Sequence, residues 1–211
     1  MSITLIIIII TSIVSFSAFS NQKVTDQLIF YPPAVTNQKQ WYRFFSCALI
    51  HADITHLLFN MFSFYSFGEM VEGTFKYLFG SLGSVLFIAL YVISQFLCLL
   101  PTYSKHKDDY YYRSLGASGA VSAIIFAGIF LNPLAKMGIL FIPIGIPGFI
   151  FGFIYLGITA YLDRRGASGI NHSAHLFGAL AGIGLLLVFG YAFSQYDLLQ
   201  NFISQIRSFS I

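Results

Sequence analysis

Charge is what this 211-residue chain has least of: Lys, Arg, Asp and Glu together make up 9% of it, against about 25% in a soluble domain. Hydrophobic residues reach 57%, above the usual ~45–50%. So few charged side chains cannot cover the surface of a soluble fold of this size. An ordinary cytosolic globular protein and a disordered chain are excluded. The net charge of +3 is small and scattered, which excludes a nucleic-acid binder. Cysteine is nearly absent too. Cys47 and Cys98 lie far apart in apolar surroundings, with no CxxC and no zinc spacing. They read as two free buried thiols, with an oxidised pair the alternative. No Lys or Arg precedes Lys23, so the first apolar run lacks the basic start of a secretory signal and reads as a membrane helix.

What is present is a series of apolar stretches of membrane-spanning length. Six are predicted: Ile3–Phe19, Cys47–Phe67, Tyr77–Leu100, Leu115–Leu131, Ile139–Leu162 and His172–Phe193. The segments between them carry nearly all the charge, and none is long enough to divide the chain. The expected architecture is an all-α membrane protein, a six-transmembrane-helix bundle over residues 1–194. Residues 195–211 form a short amphipathic tail expected to lie at the membrane interface.

Polar side chains inside such spans are costly, and by default they mark a functional site. They cluster in three places: His51, His56 and Asn60 in the second span, Gly116-Ala117-Ser118-Gly119 opening the fourth, and His172 to Gly178 opening the sixth. The second, fourth and sixth helices of a six-span bundle run in the same direction. Clusters near their starts therefore share one membrane face. His56 and Asn60, four apart, are stacked on one side of their helix.

The chemistry that suits these residues is acyl transfer. A serine needs a base, and His175 on a neighbouring helix is placed to serve Ser118. A tetrahedral oxyanion needs donors, and His56, Asn60 and the Ser118 backbone N–H are suitable types. Gly116 and Gly119 let a second backbone approach the nucleophile. No carboxylate lies in the clusters that carry Ser118 and His175, so a Ser–His dyad is implied rather than a triad.

Taken in order, Arg43-x-x-Ser46, His51-x4-His56-x3-Asn60, Gly116-Ala117-Ser118-Gly119 and Ala174-His175-x-x-Gly178-x3-Gly182 resemble the signature of the rhomboid intramembrane serine proteases, over Trp41 to Gly182. The resemblance implies a six-helix rhomboid-type fold, with Ser118 as nucleophile and His175 as general base. His56 and Asn60 would support the oxyanion. Gly116, Gly119, Gly178, Gly182, His51 and Arg43 would support the site, with Glu72 structural at the far end of the second helix. Single-span membrane proteins in a lipid bilayer would be the substrates, with no cofactor, metal or nucleic acid. A multi-pass protein of the bacterial inner membrane, its site toward the extracytoplasmic side, is the implied location. The charges point the other way: eight Lys and Arg flank the active-site face and three the opposite one.

Decoys and departures accompany the match. A second GASG carries Ser168, but no apolar span begins behind it, so it reads as a flexible turn. His172 competes with His175 for the role of base, and only His175 precedes the small-residue face of Gly178 and Gly182. His51, His56, His172 and His175 match no metal motif, and HExxH is absent. Where the family often has an aromatic residue four after the serine, this chain has Ser122. His175 must then be oriented by a hydrogen bond or by another aromatic such as Phe177. Tyr42 beside Arg43 departs from the family's Trp-Arg pair. The Pro and Gly content of the fifth span, including Pro143, Gly145, Pro147, Gly148 and Gly152, predicts an irregular helix that moves to admit substrate. Two rival readings are an inactive relative that only binds membrane proteins, and a transporter. In a transporter, polar residues should line the whole bilayer, and here they occupy mostly one half.

Overall fold

The computed structural model describes residues 1–139, 142–166 and 169–209. Among these, six longer helices form the bundle: α1 (Ile3–Ser20), α5 (Ile54–Phe79), α6 (Gly83–His106), α7 (Ser118–Leu131), α8 (Gly148–Arg165) and α9 (His172–Phe193). Three short helices, α2 (Gln22–Leu28), α3 (Pro32–Gln38) and α4 (Arg43–Ser46), build the segment between α1 and α5. A terminal helix, α10 (Leu198–Arg207), closes the chain. Three described stretches are long and apolar enough to cross a membrane: Ile3–Ser20, Ile54–His106, which holds both α5 and α6, and His172–Phe193. Helix α8 ends in Asp163-Arg164-Arg165, which lowers its mean hydropathy.

Helix α7 is the axle of the bundle. Eleven of its fourteen residues are buried, among α5, α6 and α9. At 1.5 Å per residue it is about 21 Å long, short of the ~30 Å hydrocarbon core. A helix of that length with its far end at one bilayer surface would hold its first residue, Ser118, below the other.

Several boundaries differ from the sequence reading. The second helix starts at Ile54, not Cys47, because Asp53 Oδ1 accepts the His56 N–H at 2.8 Å and caps it there. Residues Cys47–Leu49 are a separate 3₁₀ turn, so His51 lies in the connection ahead of the helix and not on it. The same helix continues to Phe79, where Gly80 at φ 55° ends it, so residues 68–76, which fall between the second and third predicted spans, are helical. Helix α6 is shifted to Gly83–His106 and runs through Pro101. The fifth span opens not as a helix but as an antiparallel pair, β1 (Lys136–Ile139) and β2 (Ile142–Pro147), with Lys136 opposite Pro147. Its prolines lack the N–H a helix needs, and α8 begins only at Gly148. The tail packs on the bundle: Phe202 stacks on Phe130 with centroids 4.4 Å apart, and Gln205 donates to the Leu131 carbonyl at 3.3 Å.

Glu72 explains how α1 is held. Its carboxylate, 2% exposed, accepts from the Ile3 and Thr4 N–H groups at 3.1 and 2.9 Å and from Thr4 Oγ1 at 2.9 Å. Lys76 Nζ neutralises it at 2.6 Å. An acid from α5 thus caps the start of α1, whose first N–H groups have no partner of their own. Replacing Glu72 with alanine should cost about 1–3 kcal/mol of stability. Thermal unfolding in detergent measures this, and a Glu72→Ala protein as stable as the parent would remove the cap from the account.

Candidate active site

Ser118 is the first residue of α7, behind Gly116 at φ 111°, a backbone conformation that a side chain would strain. Asn171 caps α9 by accepting the Ala174 N–H at 3.0 Å, and is itself held by Thr102 Oγ1 at 3.1 Å. That fixes the turn carrying His175. The two helix starts meet: His175 Nε2 lies 2.6 Å from Ser118 Oγ, across 57 residues of sequence. For the hydroxyl to donate, His175 must carry its proton on Nδ1. Among the described residues, His175 hydrogen-bonds no side chain other than Ser118.

The seam between α7 and α9 makes this distance possible. A Cβ on Gly178 would fall 2.1 Å from the Gly119 carbonyl oxygen, and one on Gly182 2.3 Å from that of Ala123. Backbone lies on backbone along this face. Gly116 makes room for a side chain, and Gly119 both for a side chain and for the α9 backbone, the Ala174 carbonyl oxygen lying 3.3 Å from where its Cβ would be. A Cβ on Gly116 would sit 2.8 Å from His56 Cε1, and one on Gly119 2.5 Å from Cys98 Sγ. Cys47 and Cys98 are both free and buried.

His56 is therefore packed against the loop that carries the nucleophile. The Ala52 N–H donates to His56 Nδ1 at 3.5 Å, which leaves the proton of a neutral ring on Nε2. Asn60, one turn on, gives one of its two amide hydrogens to the His56 carbonyl at 2.9 Å and keeps the other. The Ser118 N–H meets no acceptor among the described residues. His56 Nε2 thus lies against Gly116, two residues before the serine, with the Asn60 amide one turn along the same helix.

His51 closes the loop from the other side. Its Nε2 accepts the Ala117 N–H at 3.5 Å, and its ring stands edge-on to His56 with centroids 5.0 Å apart. His172 does not reach Ser118. It lies edge-on to His175 at 6.1 Å, buried, with Nε2 unpartnered. Phe177 is not the substitute aromatic: it is 40% exposed, and His172 is the ring beside the base. Arg43 docks the first connection whatever its neighbour, donating to the Asp26 and Ile29 carbonyls at 2.9 and 2.6 Å. Across from it, the connection after α6 is stiffened by His106 stacked on Tyr112 at 3.8 Å. The His106 hydrogen bond there holds the Asp109 carboxyl below the usual range. Ser168 lies outside the described residues.

Residues 38–192 match the Rhomboid domain family. The chain belongs to the rhomboid family. It is 35% identical over 145 residues to RHOMBOID-like protein 12, mitochondrial, of Arabidopsis thaliana, which covers 63% of this chain and 41% of that protein. It is 30% identical over 152 residues to the putative rhomboid protease YdcA of Bacillus subtilis, covering 68% and 64%. With the rhomboid protease GlpG of Haemophilus influenzae the identity is 25% over 159 residues, covering 74% and 73%. The chain thus spans less than two thirds of the length of the first two of these relatives. Its apolar helices and its rhomboid membership make it an integral membrane protein.

Ser122, four residues after Ser118, shares a hydrogen bond with Tyr155 of α8 at 3.2 Å. That partner comes from a different helix, so a sequence scan along α7 alone does not find it. The signal that could have found it was the small polar residue itself, which in an apolar helix needs a partner.

Proposed function

We propose that this chain is an intramembrane serine endopeptidase that cleaves the transmembrane segments of single-span membrane proteins near one membrane face. The observation that carries the reading is the 2.6 Å contact of Ser118 Oγ with His175 Nε2. The unspent donors of His56 and Asn60, on the helix packed against the Gly116 loop, support the same chemistry. Ser118 Oγ attacks the scissile carbonyl while its proton passes to His175 Nε2. His56 Nε2–H, the remaining Asn60 amide hydrogen and the Ser118 N–H stabilise the oxyanion. His175 then protonates the leaving amine, and water, deprotonated by the same ring, releases the acyl group. Residues 1–194 form the catalytic unit and 195–211 an accessory tail. The setting we favour is a bacterial inner membrane with the site facing the extracytoplasmic side.

Substrate must reach Ser118 from the bilayer, and α8 is the cheapest helix to move. Only Gly148, Gly152 and Thr159 of it are buried, while Phe153, Ile154, Ile158 and Tyr161 face outward. A peptide bond in a stable helix has its carbonyl engaged, so spans with small residues at the cut and helix-weakening Gly, Pro or polar residues beyond it are the expected substrates.

The test is a purified single-span reporter together with a fluorophosphonate probe. Cleavage of the reporter and labelling at Ser118 are expected, and neither should occur if the chain only binds membrane proteins. Asn60→Ala should slow turnover by roughly 10- to 10³-fold, the cost of one oxyanion donor, with KM changed less than kcat. An unchanged rate would reduce Asn60 to a packing residue.

A further inference from the structure

Helix α1 makes a polar contact that the proposed chemistry does not use. Its buried residues are Thr4, Thr11, Ser15 and Ala18, a small and mostly polar stripe on an otherwise apolar helix. Ser15 is fully buried, and its Oγ lies 2.9 Å from the Leu49 carbonyl oxygen and 3.0 Å from His51 Nδ1. His51 is 3% exposed, and its other nitrogen is the acceptor for Ala117 N–H.

The proton positions in this chain follow from what each atom can do. A carbonyl only accepts, so the single Ser15 hydroxyl proton goes to Leu49. The Ser15 oxygen then has a lone pair for His51, which requires the imidazole proton on Nδ1. Nε2 is left bare, and a bare nitrogen is what the buried Ala117 N–H needs. With the other tautomer, Nε2–H would face Ala117 N–H, two donors against each other at a buried site.

The loop that receives this contact is one that needs it. Gly116 sits in a conformation open only to a residue with unusual backbone freedom, so nothing local holds the peptide between it and Ala117. Two bonds hold the loop instead, one on each side of Gly116: Gly116 N–H to the Cys47 carbonyl at 2.9 Å on the preceding peptide, and Ala117 N–H to His51 on this one. Both anchors belong to residues 47–51, the segment that Ser15 pins through Leu49.

We infer that Ser15 is a positioning residue for the proposed nucleophile: it sets the tautomer of His51, and His51 fixes the Gly116-Ala117 peptide that aims Ser118. The inference rests on the protease reading for its consequence but not for its geometry. Two measurements test it. In protein with ¹⁵N-labelled histidine, above the imidazole titration range, the His51 signal (assigned by His51→Asn) should show a protonated Nδ1 and a bare Nε2. Ser15→Ala should shift that population. In the reporter assay Ser15→Ala should lower kcat about tenfold with KM within twofold, the size expected for one lost buried hydrogen bond. Ser15→Thr, which restores the hydroxyl, should recover most of it, and a merely volumetric role predicts no such rescue. Wild-type His51 protonated on Nε2, or a Ser15→Ala enzyme with unchanged kcat, overturns the inference. The ring spectrum needs no catalysis. A wild type that cleaves no reporter would therefore sink the protease reading, while the spectrum still decides the role of Ser15. If Ser15→Ala fails to fold, the wild-type spectrum and the kcat of Ser15→Thr decide it.

Discussion

Ser118→Ala should lower cleavage of a single-span reporter by on the order of 10⁴-fold or more, and His175→Ala should fall to nearly the same level. The reason is geometric. At 2.6 Å the two side chains act as one unit, so removing either removes proton transfer and attack together. The double variant should then be little worse than either single one, since a unit can be broken only once. Each change deletes only side-chain atoms in the first turn of a helix and removes no helix-capping bond, so folding should survive, and thermal unfolding checks that. His172→Ala and Ser168→Ala should keep substantial turnover. The fluorophosphonate label gives an independent reading: it should be lost from Ser118→Ala and kept in Ser168→Ala. A reversal between these two serines would assign the nucleophile to the second GASG.

Helix direction made the pairing of Ser118 and His175 legible, because parallel helices bring polar starts to one face. Apolar run length made the bundle legible. What escaped was set by partners far away in sequence or by a single cap. His51 is off the helix because one aspartate, Asp53, ends the preceding loop. Glu69–Lys76 looked like a polar connection, but its Glu72 is buried because α1 presents N–H groups to it. Pro101 looked like an end, yet α6 continues past it to His106. Tyr155 and Ser15 act through contacts spanning 33 and 36 residues, and no local pattern encodes which helix supplies the partner. Composition tells that a buried hydroxyl needs a neighbour, and only the packing says whose.

The same packing makes the seam of α7 and α9 the most sensitive place to add one carbon. Gly178→Ala puts a Cβ 2.1 Å from the Gly119 carbonyl oxygen and 2.9 Å from its carbon, well inside contact distance. The obstacle is backbone, so no rotamer change relieves it, and α9 must retreat by about 1 Å. Ser118 and His175 sit on these two helices, one residue before Gly119 and three before Gly178. A retreat of that size takes the 2.6 Å contact out of hydrogen-bonding range. Turnover should fall by roughly 10²-fold from misplacement alone, together with about 1–3 kcal/mol of stability from overpacking. Gly182→Ala, 2.3 Å from the Ala123 carbonyl oxygen, should destabilise similarly. Its contact lies a turn further from the dyad, so it should cost less activity. Gly184, two residues on, is the control, because a Cβ there meets nothing within 4 Å. Gly184→Ala should leave activity intact and add up to about 1 kcal/mol of helix stability. Thermal unfolding and reporter turnover on the three variants separate the effects. If Gly178→Ala cleaves as fast as Gly184→Ala, the close approach of these helices is not what brings Ser118 to His175.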